Sequence, residues 1–238
     1  MVMCLHIGAG NPAPHASDET PIEAWIATMP MSSAIGASDW LNLEALHRFP
    51  LKVCLSECGI GWVPYFTERA DFSHSRHKYW THSAEQFRGK KPSDVFKEHF
   101  MICFIDDAYG LDNLKYMNEN HVAYECDYPH SDTLWPEVPE YLWKTAQALT
   151  DEQIDKITHR NVMNFYNFDL FKNVKREDIT VGALRAQAAA KGVDTTPKSY
   201  GGDAKPLADG ETRRVVTSGD LFKMFAHHAE VREEKEAS

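Results

Sequence analysis

The chain has 238 residues, 43% of them apolar, which is enough for one domain core with a tail. A formal net charge of −10 excludes the broad basic footprint of a nucleic-acid binder, though not a small basic pocket for an anionic substrate. No stretch approaches the roughly 20 consecutive apolar residues that cross a bilayer, and the start Met1-Val2-Met3-Cys4-Leu5-His6 lacks the basic segment of a signal peptide, so a soluble cytoplasmic protein without a membrane partner is expected.

Taken in chain order, the first element is the apolar run Val2–Ile7. Domains usually begin with loose polar residues. This run reads instead as a strand already inside a fold, so that either the true start lies upstream or the domain is an unusual one. Three more runs follow, Leu51–Ser56, Phe100–Ile105 and His121–Cys126, each rich in Val, Ile, Leu, Cys, Phe or Tyr. They fit short strands buried on both faces. The segments between them have room for crossovers, which predicts a parallel α/β sheet. Helices are predicted over Pro64–Tyr79, from Pro92 to Phe96, and over Glu137–Leu149. Thr150 caps the next, Asp151–Thr158, with Gln153 completing a capping box. A short turn over Arg160–Phe168 follows, then the Ala-rich Val181–Lys191, closed by Gly192. Residues 1–192 thus form one domain. Residues 193–238 are read as a partly flexible extension with a short helix over Gly219–Val231 and a frayed end. The five cysteines, at 4, 54, 58, 103 and 126, form no Cys-x-x-Cys pair and are odd in number; they are expected as buried free thiols.

Chemistry concentrates at the ends of the predicted strands, the edge where parallel α/β folds bind ligands. His6 ends the first and precedes Gly8-Ala9-Gly10, so its imidazole is a candidate metal ligand, or else a histidine bonded to a carbonyl. Glu57 ends the second, inside an apolar segment where a lone carboxylate is costly; it can orient a ligand, act as a base or bind metal itself. Asp106 and Asp107 end the third, and at least one of them reads better as a helix cap. Asp127 ends the fourth in Glu125-Cys126-Asp127-Tyr128-Pro129-His130-Ser131-Asp132, the densest polar cluster in the chain. Asp127 is the candidate ligand or base there, with His130 beside it. His74, His77 and His82, with Arg76 and Lys78, read either as a positive rim for a carboxylate substrate or as a solvated face. No Gly-rich phosphate loop follows any strand, which leaves a nucleotide binder the weakest reading.

Three segments resemble one family. Leu51-Lys52-Val53-Cys54-Leu55-Ser56-Glu57-Cys58-Gly59-Ile60-Gly61-Trp62-Val63-Pro64-Tyr65 is similar to a segment of the amidohydrolase-related proteins, relatives of aminocarboxymuconate-semialdehyde decarboxylase. Tyr124-Glu125-Cys126-Asp127-Tyr128-Pro129-His130-Ser131-Asp132 resembles that family's last barrel strand, and His159–Phe168 its closing segment. The resemblance covers roughly residues 1–192. It implies a (β/α)₈ TIM barrel with one divalent metal, commonly zinc. It also implies a metal-dependent hydrolase of C–N or C–O bonds, or a carboxy-lyase, acting on small carboxylated or aromatic substrates. By that resemblance His6 and Asp127 are metal ligands, and Asp127, Glu57 and His130 serve the chemistry. The family's His-x-His pair is absent from the chain, so the expectation is a partial barrel: strands five to eight with C-terminal helices, the N-terminal half missing. Four strands of a barrel leave two open edges, so impaired turnover is expected, with a second copy covering the edges as one remedy. The alternative is a non-catalytic remnant or interaction module that keeps the half-barrel.

Overall fold

Parallel pairing joins the four apolar runs into a single sheet in the order β1-β2-β3-β4, with β1 and β4 at its edges. The computed structural model describes residues 1–8, 16–197, 207–210 and 212–226. In chain order the elements are β1 (Val2–His6), α1 (Ile22–Thr28), α2 (Pro30–Leu41), α3 (Glu44–Arg48), β2 (Lys52–Ser56), α4 (Val63–His77), α5 (Ser83–Phe87), α6 (Pro92–His99), β3 (Phe100–Phe104), α7 (Ala108–Asp112), β4 (Val122–Tyr124), α8 (Val138–Ala146), α9 (Asp151–Asp155), α10 (Asn161–Tyr166) and α11 (Val181–Ala190). All four strands fall inside the runs expected from sequence. The protein is therefore an α/β fold built on a parallel four-stranded sheet.

Alternation along the strands creates two unequal faces. One carries Val53, Leu55, Phe100, Ile102, Phe104 and Val122, and α2, α4, α6 and α8 cover it. Helix α4 shows why: Pro64 sits in its first turn, while Val63, Phe66, Thr67 and Ala70 form an inward stripe at helical spacing. Phe96 of α6 stacks on Phe100 at 4.6 Å and carries the helix directly into β3. The other face is lined by the smaller set Cys54, Met101, Cys103 and Ala123, and is packed mainly by Val162 and Phe165 of α10. Asn161 anchors that helix, its amide donating to the carbonyls of Glu119 and Val122 at 2.7 Å each.

The capping box at Thr150 forms as the sequence predicts, with Gln153 N–H donating to Thr150 Oγ1 at 3.2 Å and Thr150 N–H to Gln153 Oε1 at 3.1 Å. Helices α1 to α3 were not individually legible. Of the expected extension, 218–226 forms a helix, as anticipated from residue 219 onward; the frayed end beyond 226 lies outside the described residues. This segment is bonded to the strap after β1: Ile22 N–H donates to Val216 O, Ser218 N–H to Thr20 O and Gly219 N–H to Asp18 O, at 2.9–3.0 Å. All five thiols are free, but Cys4 is exposed on the edge strand rather than buried. No helix among the described residues is long and apolar enough to cross a membrane.

Candidate metal centre at the strand ends

The register of β1 on β2 pairs His6 with Ser56, which sets the next residue, Glu57, beside the imidazole. Phe104 pairs with Tyr124, so Glu125 and Asp127 leave β4 at the same rim. His6 Nδ1 bonds the Ile7 carbonyl at 2.8 Å, which fixes the ring and turns Nε2 toward the Glu57 carboxylate, with which it is in contact. This is the orientation that a second hydrogen bond imposes on metal-binding histidines. The Glu57 N–H donates to the Glu125 carboxylate, linking the ends of β2 and β4 across β3. Asp127 begins a turn closed by the His130 N–H on its own carbonyl at 2.8 Å, and the His130 ring returns to the carboxylate at 2.9 Å.

Depth separates these groups. The side chains of Glu57 and Asp127 are 11% and 19% exposed, whereas His6 and His130 are 58% and 56% exposed. The carboxylates form the floor and the imidazoles the rim. Donor atoms of Glu57, Asp127 and His130 all lie within 4.8 Å of one another, the one such potential metal-holding group among the described residues. His6 stands one contact further out, through Glu57. His6 and Asp127 thus share a rim, but the compact set has His130 as its imidazole.

The electrostatics of this floor are unfavourable without a cation. Burial raises the Glu57 carboxyl above the ordinary carboxylate range, and the Asp127 charge adds to this while His6 opposes it. Burial pushes Glu125 up to about 7, with the charges of Glu57 and Asp127 acting in the same direction. His6 is raised, first by its bond to the Ile7 carbonyl and then by the Glu57 and Asp127 charges, against burial. Asp127 Oδ2 is buried without a hydrogen-bond donor: the His130 ring is near it but misaligned. Two recessed carboxylates and an imidazole, with one buried oxygen lacking a donor, suit a divalent cation that prefers oxygen and nitrogen.

Glu125 is the site-lining residue that the sequence reading missed. Its signal was present, because Glu125 and Asp127 are two residues apart and alternation puts such a pair on one side of a strand. Asp107, by contrast, takes the expected capping role: it accepts from Gly110 N at the start of α7, and also from Ile60 and Gly61 N in the loop after Glu57, at 2.7 Å each. Asp106 is exposed. The basic group on α4 does not edge the strand-end site. Val63 and His74 are eleven residues apart, about 16 Å along a helix, and His74, His77 and Lys78 line a separate cavity. Of the two readings of that group, a positive rim for a carboxylate substrate or a solvated face, the cavity lining keeps the first open, away from the strand ends.

Among solved structures, the chain is similar to 5-carboxyvanillate decarboxylase from Sphingomonas paucimobilis, at 18% identity over 60% of this chain and 42% of that one, with a TM-score of 0.47. It is similar to an amidohydrolase from Mycobacterium avium subsp. paratuberculosis K-10, at 15% identity over 57% and 34%, with a TM-score of 0.48. It is also similar to a dihydroxybenzoic acid decarboxylase from Polaromonas sp. JS666 with bound manganese and 2-nitroresorcinol, at 18% identity over 64% and 48%, with a TM-score of 0.46. The chain spans less than half the length of each of these proteins. No curated protein matches it. Residues 2–168 match the family model described as Amidohydrolase, and the chain belongs to that family.

Proposed function

We propose that this chain carries one side of the active centre of a metal-dependent enzyme, a hydrolase of C–N or C–O bonds or a carboxy-lyase acting on small anionic, carboxylated or aromatic substrates. The observation that carries the reading is the recessed group of Glu57, Asp127 and His130 around the buried Asp127 Oδ2. Asp127, Glu57 and His130 would hold a divalent ion, with His6 beside it. When bound, that ion supplies Lewis-acid polarisation of water or of a substrate carbonyl or carboxylate. The chain's own groups move the proton. His6 Nε2, in contact with the Glu57 carboxylate, is placed to take or return a proton at the rim. Asp127, fixed by its turn, is placed to serve as a base toward a substrate at the rim.

In this reading the sheet is strands five to eight of a (β/α)₈ barrel. Residues 1–192 form that half, and 193–238 are an extension, in which Val216, Ser218 and Gly219 bond Ile22, Thr20 and Asp18. The face of Cys54, Met101, Cys103 and Ala123, packed by α10 and not by the helices that connect the strands, supports the assignment, because it then faces the barrel interior. Substrate-sized closure of the site needs further strands beside β1 and β4. If the chain acts alone, a second copy is the expected cover, which sedimentation would read as a dimer. The relative from Polaromonas sp. JS666 carries manganese, and manganese and zinc are the ions to compare.

The test is calorimetric titration of the protein with MnCl₂ and ZnCl₂, alongside Asp127→Asn. Loss of one charged ligand is expected to weaken binding at least about tenfold. Equal binding by the variant would move the chain to the alternative reading, an interaction module that keeps the half-barrel without its chemistry.

A further inference from the structure

We propose that the cavity between α2 and α4 is a binding site for a small, multiply charged anion of the phosphate or polycarboxylate class, separate from the strand-end centre. The cavity measures about 520 Å³, within the roughly 300–1,000 Å³ of small-molecule sites. Its charged and titratable lining is all of one kind: Arg69, His74, His77 and Lys78. In a chain with 35 acidic residues against 25 basic ones, no carboxylate lines it.

Neither Arg69 nor Lys78 makes an ion pair among the described residues; each lies over a neighbouring ring instead, Phe72 and Tyr79 respectively. The nearby acid, Asp71, is occupied by the Ser93 N–H at 2.8 Å and the Ser93 hydroxyl at 2.7 Å. The Asp71 charge acts on His74 from beside the cavity, but the lining itself carries Arg69 and Lys78 with no acidic side chain among them. It already acts on the histidine within it: burial and then the Lys78 charge hold His74 below its ordinary value. An anion would relieve that repulsion.

The cavity also offers hydrogen-bond donors. His77 Nδ1 accepts from Trp80 Nε1 at 3.0 Å, which leaves the proton on Nε2 free to donate. Ser73 and Ser83 add hydroxyls, while Leu41 and Phe66 supply an apolar wall for a carbon skeleton. The negative end of the α4 dipole opposes an anion here, but the carbonyls of His74 and His77 in its last turn are already engaged. Lys78 N–H bonds His74 O at 3.0 Å, Thr81 N–H and Oγ1 bond His77 O at 3.1 and 3.0 Å, and Ser75 Oγ bonds Phe72 O at 2.7 Å. The four cationic or protonatable side chains therefore set the local field.

The experiment is calorimetric titration of the full chain with sodium pyrophosphate and, separately, sodium citrate. Saturable one-to-one binding is expected for at least one of them. The stronger arm tells phosphate from carboxylate recognition. Arg69→Gln/Lys78→Gln is expected to weaken it by at least about tenfold, since both charge-assisted contacts are lost. Lys144→Gln, on a distant helix, and Asp127→Asn are expected to leave it unchanged. Nuclear magnetic resonance of the wild-type protein supplies a readout that does not depend on any variant folding: the His74 and His77 ring protons should shift on saturation. The proposal is overturned if neither anion binds at about 10 mM, a dissociation constant weaker than any functional site requires. It is overturned equally if the double variant binds as well as wild type, if Asp127→Asn abolishes binding, or if the two rings do not respond.

Discussion

Two of the acidic side chains at the strand ends stand on left-handed backbone, Glu57 at φ +56° and Asp127 at φ +53°. A non-glycine residue in that region costs about 1–3 kcal/mol and persists where the surroundings over-determine it, commonly at functional sites. For Glu57 the cost is compounded by burial beside Asp127. Glu57→Gly should therefore raise stability by about 1 kcal/mol, or roughly 2–4 °C in Tm for a chain of this size, while weakening metal binding. Thermal unfolding checks the first half; a Tm at or below wild type would remove strain from the explanation. The positions of His6, Glu57 and Asp127 were legible in the sequence because each closes an apolar run, where a polar residue stands out. Glu125 was not singled out, because recognising it required both strand alternation and knowledge of how far the pairing with β3 extends. The basic cluster around His74 was visible, but its destination was not, since composition does not reveal which end of a helix faces a site.

Among the elements, the loop between β2 and α4 carries Glu57, and Asp107 holds it. One carboxylate takes two amides from that loop and caps α7 with a third. The fit is tight: a Cβ at Gly110 would come within 2.2 Å of the Ile60 side chain, and one at Gly61 within 3.0 Å of Asp107 Oδ1. Asp107→Ala removes a charged acceptor from three partly buried donors and should cost about 3 kcal/mol, seen as a lower denaturation midpoint with unchanged slope. Metal affinity should fall as well, because the loop that sets Glu57 is released. A stability within about 0.5 kcal/mol of wild type, the size of an ordinary surface change, would contradict the clamp. The strands and the Thr150 helix start were readable from local chemistry: continuous β-branched and aromatic runs in one case, a reciprocal hydrogen-bond pair in the other. Helices α1 to α3 were obscure for an equally physical reason. The α2 sequence Pro30-Met31-Ser32-Ser33-Ala34-Ile35-Gly36-Ala37-Ser38-Asp39-Trp40-Leu41 is small and weakly amphipathic, and buries two serines along with Ala37 and Leu41. Its helicity comes from packing, which leaves no clear period in the sequence.

At the scale of the whole molecule, the connecting helices cover one face of the sheet, and α10 packs the smaller set Cys54, Met101, Cys103 and Ala123 on the other. His6 follows Val2 and Cys4 by alternation on that same side. A cation at the rim would draw β1, β2 and β4 together through Glu57, Asp127 and the contacting His6, and should stabilise the fold by mass action. Manganese at saturating concentration should accordingly raise the Tm of wild type but not of Asp127→Asn. The most direct measurement is a crystal structure of the protein soaked in manganese, with data collected for anomalous scattering. A single strong peak within coordinating distance of Asp127 Oδ2, Glu57 and the His130 ring is the predicted result. Bound manganese at any other position, with those three side chains making no contact to it, would contradict the assignment of the centre.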